Sequence, residues 1–315
     1  MTAHVQASVA PDGAHDLGHG EFAFSQVDFQ DLADIVQAGS GIALEAGKAQ
    51  LVYARLAKHL RRLGLASFRQ YHDLVSSPAG GAERLLMIEA LTTNVTRFFR
   101  EKHHFTHLVE QVLPGLLDRA RRGERVRLWS AGCSSGEEPY SIALAILSLM
   151  PEAPRMDIKV LATDINTSML ATGRAGVYPA NAGDYIDPTI RDRWLHRQTV
   201  DGQASLVVSD ALRALVAFRP ANLIDETWPM RGPFQVIFCR NVLIYFEPSR
   251  RDQVLKKLVG HLSPSGHIYV GHSERIPPGV LDLNYVGLTA YQRGQAGPAG
   301  PNAKAQTSQQ PPEPS

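Results

Sequence analysis

The sequence is poor in cysteine, with two in 315 residues, Cys133 and Cys239. Each sits in an apolar run that reads as a strand or a strand end. Usage this sparse excludes a disulfide framework and the spacing of a zinc site, and it fits a reducing compartment. An excess of one charge is also missing: 32 basic residues face 31 acidic ones, for a net charge of +1. A global attraction to nucleic acid or membrane is therefore excluded, and any pull on a charged partner has to come from local patches. No uncharged apolar run is long enough to span a bilayer. The first twenty residues have neither a basic start nor an apolar stretch, so no signal peptide is expected and the location is expected to be cytoplasmic. What is present is ordinary for a globular protein, with 44% hydrophobic and 20% charged residues, enough to bury one or two cores.

Low-complexity composition marks two expected disordered tails, 1–22 and 294–315, the second rich in Pro, Gln, Ser and Gly. Between them the pattern changes once. From 23 to 100 apolar residues recur at helical spacing, as with Phe29, Leu32, Ile35 and Val36, then Leu51, Leu56, Leu60 and Leu63. A small all-helical domain is expected there. From 101 to 293 short apolar strands alternate with helices, at 126–129, 158–162, 215–218, 234–239 and 267–270. That rhythm predicts a mostly parallel, doubly wound α/β sheet. The stretch 178–212 breaks the rhythm and is expected to form a small antiparallel β-subdomain.

The strongest local feature runs from Trp129 through Ser130-Ala131-Gly132-Cys133-Ser134-Ser135-Gly136 to Glu137 and Glu138. A strand, a loop of small residues and a helix start follow in order, the context a cofactor loop requires. It is not G-x-G-x-x-G, and a pyrophosphate there would meet two acidic residues. A cofactor with a cationic or zwitterionic end would not, which argues for S-adenosylmethionine over NAD. The plain alternative is a tight strand–helix turn. Asp164 follows the second strand and suits either a ribose ligand or a helix cap. Asn222 and Asn241 stand in the corresponding places after the next two strands. Three polar residues at successive strand ends converge where open α/β sheets bind ligands.

Several blocks then resemble, in one order, the chemotaxis receptor glutamate methyltransferases (the CheR family). They are LTTNVTRFFRE at 91–101 with His103-His104-Phe105, SAGCSSGEEPYS at 130–141, ATDIN at 162–166, Asn222-Leu223, and FCRNVLIYF at 238–246. The resemblance spans 24–291. It implies a Rossmann-like class I methyltransferase domain carrying a small antiparallel β-subdomain, preceded by a small all-helical domain. It also implies S-adenosylmethionine as cofactor and S-adenosylhomocysteine as product. By this similarity Asn94, Thr96 and Arg100 reach the methionyl end, as does Glu137, with Glu138 a competing assignment. Asp164 binds the ribose, Asn222 and Leu223 the adenine region, and Asn241 with Val242 the sulfonium side. Tyr245 lies near the transferred methyl, and Arg100 and Tyr245 are the expected catalytic residues. One departure is Gly132-Cys133, where two alanines are expected.

The implied reaction needs no general base, because a glutamate carboxylate (pKa about 4.3) is already ionised at neutral pH. The implied partner is the cytoplasmic helical domain of a methyl-accepting receptor, and whether a receptor C-terminal peptide docks on the β-subdomain stays open. No nucleic acid partner, no membrane insertion and a monomer are expected. The basic stretch 48–69, with Arg55, Lys58, Arg61, Arg62 and Arg69 and no acidic residue, reads as a steering surface for acidic helices or as a solvated face. His103 and His104 are adjacent, and neighbouring helical residues point apart, so no metal site is expected. Competing readings are a methyltransferase for another substrate or another pathway, and a cofactor-binding signalling module without turnover.

Overall fold

The computed structural model describes residues 20–279 and 281–294. The two expected tails lie outside the described residues, apart from 20–22 and Gly294. Phe22, assigned to the first tail, packs its ring edge-on against Phe68 and is buried in the helical domain's core.

Four helices build that domain: α1 Gln26–Ser40, α2 Ala49–Leu63, α3 Phe68–Ser76 and α4 Gly81–Leu91. Helix α1 starts at a capping box, in which Ser25 Oγ accepts from Asp28 N and the Asp28 carboxylate accepts from Ser25 N. It stops at Gly41, whose φ of 77° is left-handed. The spaced apolar residues face one core, with Phe29, Leu32, Leu56 and Leu60 almost fully enclosed. Burying each such side chain contributes roughly 1.5–3 kcal/mol. At the centre sits a carboxylate, Glu83, which accepts from His59 Nδ1, Arg62 and Tyr71 Oη. Burial pushes its carboxyl up, but Arg62, His59 and Tyr71 together hold it below the usual range.

The second domain opens on α5 Lys102–His107, which runs through a π turn, Leu108–Val112, into α6 Leu113–Arg121. Pro114 explains the π turn: it has no N–H to give, and its ring would strike the carbonyl four residues back in a regular α-helix. The sheet that follows contains β1 Val126–Ala131, β2 Ile158–Asp164, β6 Val216–Pro220, β7 Phe234–Cys239, β8 Leu262–Val270, β9 Leu283–Gly287 and β10 Ala290–Arg293, in the spatial order β6-β2-β1-β7-β8-β10-β9. The first five are parallel neighbours, and β10 and β9 add antiparallel. Strand β6 is an edge, and its exposed carbonyl at Phe218 is covered by the guanidinium groups of Arg174 and Arg219.

Helices α7 Glu137–Leu149, α8 Thr167–Ala175, α10 Asp210–Leu215 and α11 Pro248–His261 connect the strands. Between α8 and α10 lies the expected subdomain, an antiparallel sheet of β3 Val177–Pro179, β5 Gln203–Val208 and β4 Leu195–Val200, with helix α9 Pro188–Trp194. Among the described residues, no helix is long and apolar enough to cross a membrane.

Candidate functional site

A cleft opens where strand order reverses, with β2 on one side of β1 and β7 on the other. It encloses about 860 Å³ of empty space counted out to its solvent mouth. One wall comes from the helical domain and the junction: Ser40, Ile42, Thr92, Asn94, Thr96 and Arg100. The opposite wall comes from strand ends: Gly132 and Ser134 after β1, Asp164 ending β2, Leu223 after β6, and Asn241, Val242 and Tyr245 after β7. The walls are pinned together where Ile42 bridges Phe246 and Ala43 N donates to Tyr245 O at 2.9 Å.

Like Glu138, the other acid of the lining, Asp164 is 8% exposed. Its Oδ2 accepts from Ser134 N at 2.7 Å and its Oδ1 from Asn166 N at 2.8 Å. Burial raises its pKa, against the pull of those N–H groups. A carboxylate offers about four lone-pair sites, so capacity for further donors remains. The cap role left open for Asp164 belongs instead to Asn166, whose side chain accepts from Met169 N and so starts α8. Ser134, at φ 48°, takes a left-handed conformation that turns its N–H onto Asp164. Gly132 is also left-handed, at φ 81°, and a Cβ on it would lie 2.4 Å from Val242 Cγ2. Glycine where alanine was expected thus leaves room for Val242.

Two expected residues do not line the cleft. Glu137 accepts from Ser135 Oγ at 2.7 Å, with its pKa raised by burial, and the competing Glu138 is the one in the lining. Asn222 donates to Gly39 O at 2.8 Å, tying the end of α1 to the sheet domain, while its neighbour Leu223 lines the cleft.

Two residues of the lining, Glu138 and Arg240, belong to a charged network that sequence reasoning missed. Arg240, 5% exposed, donates from Nε to Glu138 Oε2 at 2.8 Å and from NH1 to His104 Nδ1 at 2.9 Å. Glu138 Oε1 accepts from Ser130 Oγ. Burial, reinforced by Arg240, lowers the His104 pKa to about 4, so the ring is neutral and its Nε2–H donates to Leu288 O. Glu101 Oε2 is buried without a hydrogen bond, 3.8 Å from Arg240 NH1. Burial raises the Glu101 pKa, but Arg240 and Asn241 bring it below the usual value.

The sequence argument about the paired histidines needs correcting. Donor atoms of Glu101, His103 and His104 do converge, within 4.8 Å of one another. Both ring nitrogens of His104 are nonetheless engaged, and a guanidinium occupies the place of a cation. The steering reading of the basic stretch 48–69 also needs revision. Arg55 donates to Ala90 O and Thr92 O, Arg61 pairs with Glu21, Arg62 with Glu83 and Arg69 with Asp31. Lys58 stays exposed.

The lining fits a nucleoside with an amino-acid tail: a buried acid for a diol, apolar Leu223 for a base, and Arg100 for a carboxylate. Comparison with known proteins agrees. The model of the CheR methyltransferase SAM binding domain matches 94–291, and that of the CheR methyltransferase all-alpha domain matches 27–92. A Rhizobium etli protein named "Probable chemotaxis protein methyltransferase" is 48% identical over 259 residues, covering 82% of this chain and 96% of that one. The chemotaxis protein methyltransferase of Escherichia coli is 39% identical over 271 residues, covering 85% and 91%. PKMT2 from Rickettsia typhi in complex with AdoHcy is 16% identical, covers 46% of this chain and 20% of that one, and scores a TM of 0.28, too loose a likeness to bear on the site. By its two domain matches and its relatives, the chain belongs to the CheR methyltransferase family and is an S-adenosylmethionine-dependent chemotaxis methyltransferase.

Proposed function

We propose that the chain methylates glutamate side chains of methyl-accepting chemotaxis receptors, forming glutamyl methyl esters and tuning receptor signalling. The observation that carries the reading is the cleft in which buried Asp164 and cationic Arg100 share one cavity with Leu223, Val242 and Tyr245. S-adenosylmethionine, when bound, supplies an electrophilic methyl carbon attached to a good leaving group. The residues of the chain bind and orient. Asp164 holds the ribose hydroxyls through its remaining acceptor capacity, and Asn94, Thr96 and Arg100 hold the methionyl end. Leu223 packs against the adenine, and Asn241 with Val242 borders the sulfonium side. Glu138 takes the contact first assigned to Glu137, while Glu137 and Asn222 shape the walls from behind.

Tyr245, half-buried at the mouth beneath Lys48 Nζ at 5.9 Å from its ring centroid, orients the incoming carboxylate. That carboxylate arrives ionised, so catalysis rests on alignment and on exclusion of water rather than on proton removal. The partner is the helical cytoplasmic part of a receptor, which places the enzyme in the cytoplasm as a monomer. The exposed Tyr185 ring, stacked on the Arg97 guanidinium at 4.8 Å, offers the β-subdomain a contact for a receptor C-terminal peptide.

The test is incubation with methyl-labelled S-adenosylmethionine and receptor-containing membranes. Base-labile label on the receptor is expected. Label on RNA or small acids alone would replace the substrate, and cofactor binding with no transfer would leave a signalling module.

A further inference from the structure

Glu274 does not line the cleft, yet its carboxylate reaches the backbone of the segment that does. Strand β8 ends at Val270 and the chain turns tightly, with Glu274 N donating to Gly271 O at 2.8 Å. The side chain, 6% exposed, lies under the segment that follows β7. Its Oε2 accepts from Asn241 N at 2.7 Å and from Gly271 N at 2.6 Å, and its Oε1 accepts from Ile244 N at 3.1 Å. There is no room for a looser arrangement. A Cβ on Gly271 would stand 2.7 Å from Glu274 Oε2 and 2.5 Å from Asn241 Nδ2.

The segment held in this way supplies Arg240, Asn241, Val242, Tyr245 and Phe246 to the cleft. It begins with a strained step, since Asn241 is left-handed at φ 58°. After β7 ends at Cys239, the N–H groups of Asn241 and Ile244 point at a buried anion rather than at a sheet neighbour. An ionised acceptor gives hydrogen bonds about twice as strong as neutral ones. An amide in its place would offer a single acceptor oxygen to the three N–H groups.

We propose that Glu274 is a positioning residue for methyl transfer: its carboxylate, gripping the N–H groups of Asn241 and Ile244, fixes the loop that carries Asn241, Val242 and Tyr245. The inference rests on the reading of this cleft as the site of transfer. A merely structural role, closing the turn after β8, would need the bond to Gly271 alone.

Glu274→Gln tests the idea, because the amide keeps the shape but turns an NH₂ toward backbone donors. Three readouts are taken at a temperature where both proteins are folded. The kcat for receptor methylation is expected to fall tenfold or more. The affinity for S-adenosylhomocysteine, measured by calorimetry, is expected to fall by at least threefold. The amide proton resonances of Asn241 and Ile244 should move upfield as their charged acceptor disappears. Glu83→Gln, which alters a buried carboxylate in the helical domain, is the matched control, expected to lower the melting temperature while leaving kcat within twofold.

A Glu274→Gln protein with wild-type kcat and affinity would overturn the proposal, whatever its melting temperature. Should that variant not fold, Glu274→Asp takes its place, keeping the charge but pulling it about one bond length back from Ile244, with an intermediate loss of kcat expected and an unchanged kcat overturning the idea. Wild-type protein that failed to bind S-adenosylhomocysteine would instead sink the reading of the cleft, and the two failures are thereby told apart.

Discussion

Asp164 accepts backbone N–H groups from Ser134 and Asn166 before any ligand arrives. Its replacement should therefore be felt twice. Asp164→Ala is expected to weaken binding of S-adenosylhomocysteine by about ten- to a hundredfold, the loss of charge-assisted bonds worth roughly 1.5–3 kcal/mol. It should also cost about 1–3 kcal/mol of stability, because two buried donors lose their acceptor. Calorimetry and urea unfolding read the two effects separately, and unchanged affinity would refute a ribose role. Asp164 was legible in the sequence as an acid just past a strand. Arg240 was not, because its meaning depends on Glu138 and His104, each more than a hundred residues away. Ser134 was hidden for another reason: its contribution is a backbone N–H aimed by a left-handed φ, which side-chain chemistry does not announce. Glu274 did leave a trace. It stands just past the end of β8, as Asp164 stands at the end of β2, and a search for acids at or just past each strand end would have found both.

Helix α8 shows how an element's end can be supplied by another domain. The Glu89 carboxylate, on α4, accepts from Thr167 N, Thr167 Oγ1 and Ser168 Oγ at the N-terminus of α8. A negative charge there satisfies free N–H groups and opposes the positive end of the helix dipole. The contact is partly exposed, so Glu89→Ala should lower stability by only about 1 kcal/mol. Because α8 follows Asp164 directly, cofactor affinity should fall as well, by a few-fold in calorimetry. If stability dropped and affinity held, the latch would be a fastening without influence on the cleft. Strands rich in buried residues, such as β1, β2 and β7, were plain from sequence, β7 being buried along its whole length. The β9–β10 hairpin was not. Its outer strand exposes Asn284, Tyr285 and Val286 in succession, so no alternation marks it. The π turn was equally hidden, since it arises from the way Pro114 joins α5 to α6 and not from any apolar pattern.

For the whole molecule, His104 sets a dependence of stability on pH. Its pKa is about 4 in the folded chain against an ordinary 6.5, so between those values the unfolded chain binds more protons. Stability contributed by the neutral ring is thus complete above about pH 6.5 and is lost as pH falls toward 4. The ring is fully enclosed, and the shift corresponds to about 3 kcal/mol. Asp164, Glu137 and Glu274, whose pKa values burial raises, act with the opposite sign. A difference measurement isolates the histidine. Between pH 7 and pH 4 the wild type should lose about 3 kcal/mol more than His104→Gln in urea unfolding. Parallel slopes for the two proteins would show that burial and Arg240 do not hold the ring neutral. The two-domain plan itself was readable from one change of periodicity near residue 100, but how the domains meet was not, because Ile42, Ala43 and Gly39 carry no chemical signature of their partners.

The bridge from Ile42 to Phe246, with the bond from Ala43 to the Tyr245 carbonyl, makes the helical domain part of the binding pocket rather than an appendage to it. Swapping that domain for a relative's is therefore expected to change the enzyme's grip on its cofactor. A hybrid should keep full activity only when residues 40–43 and 241–246 are inherited from the same parent.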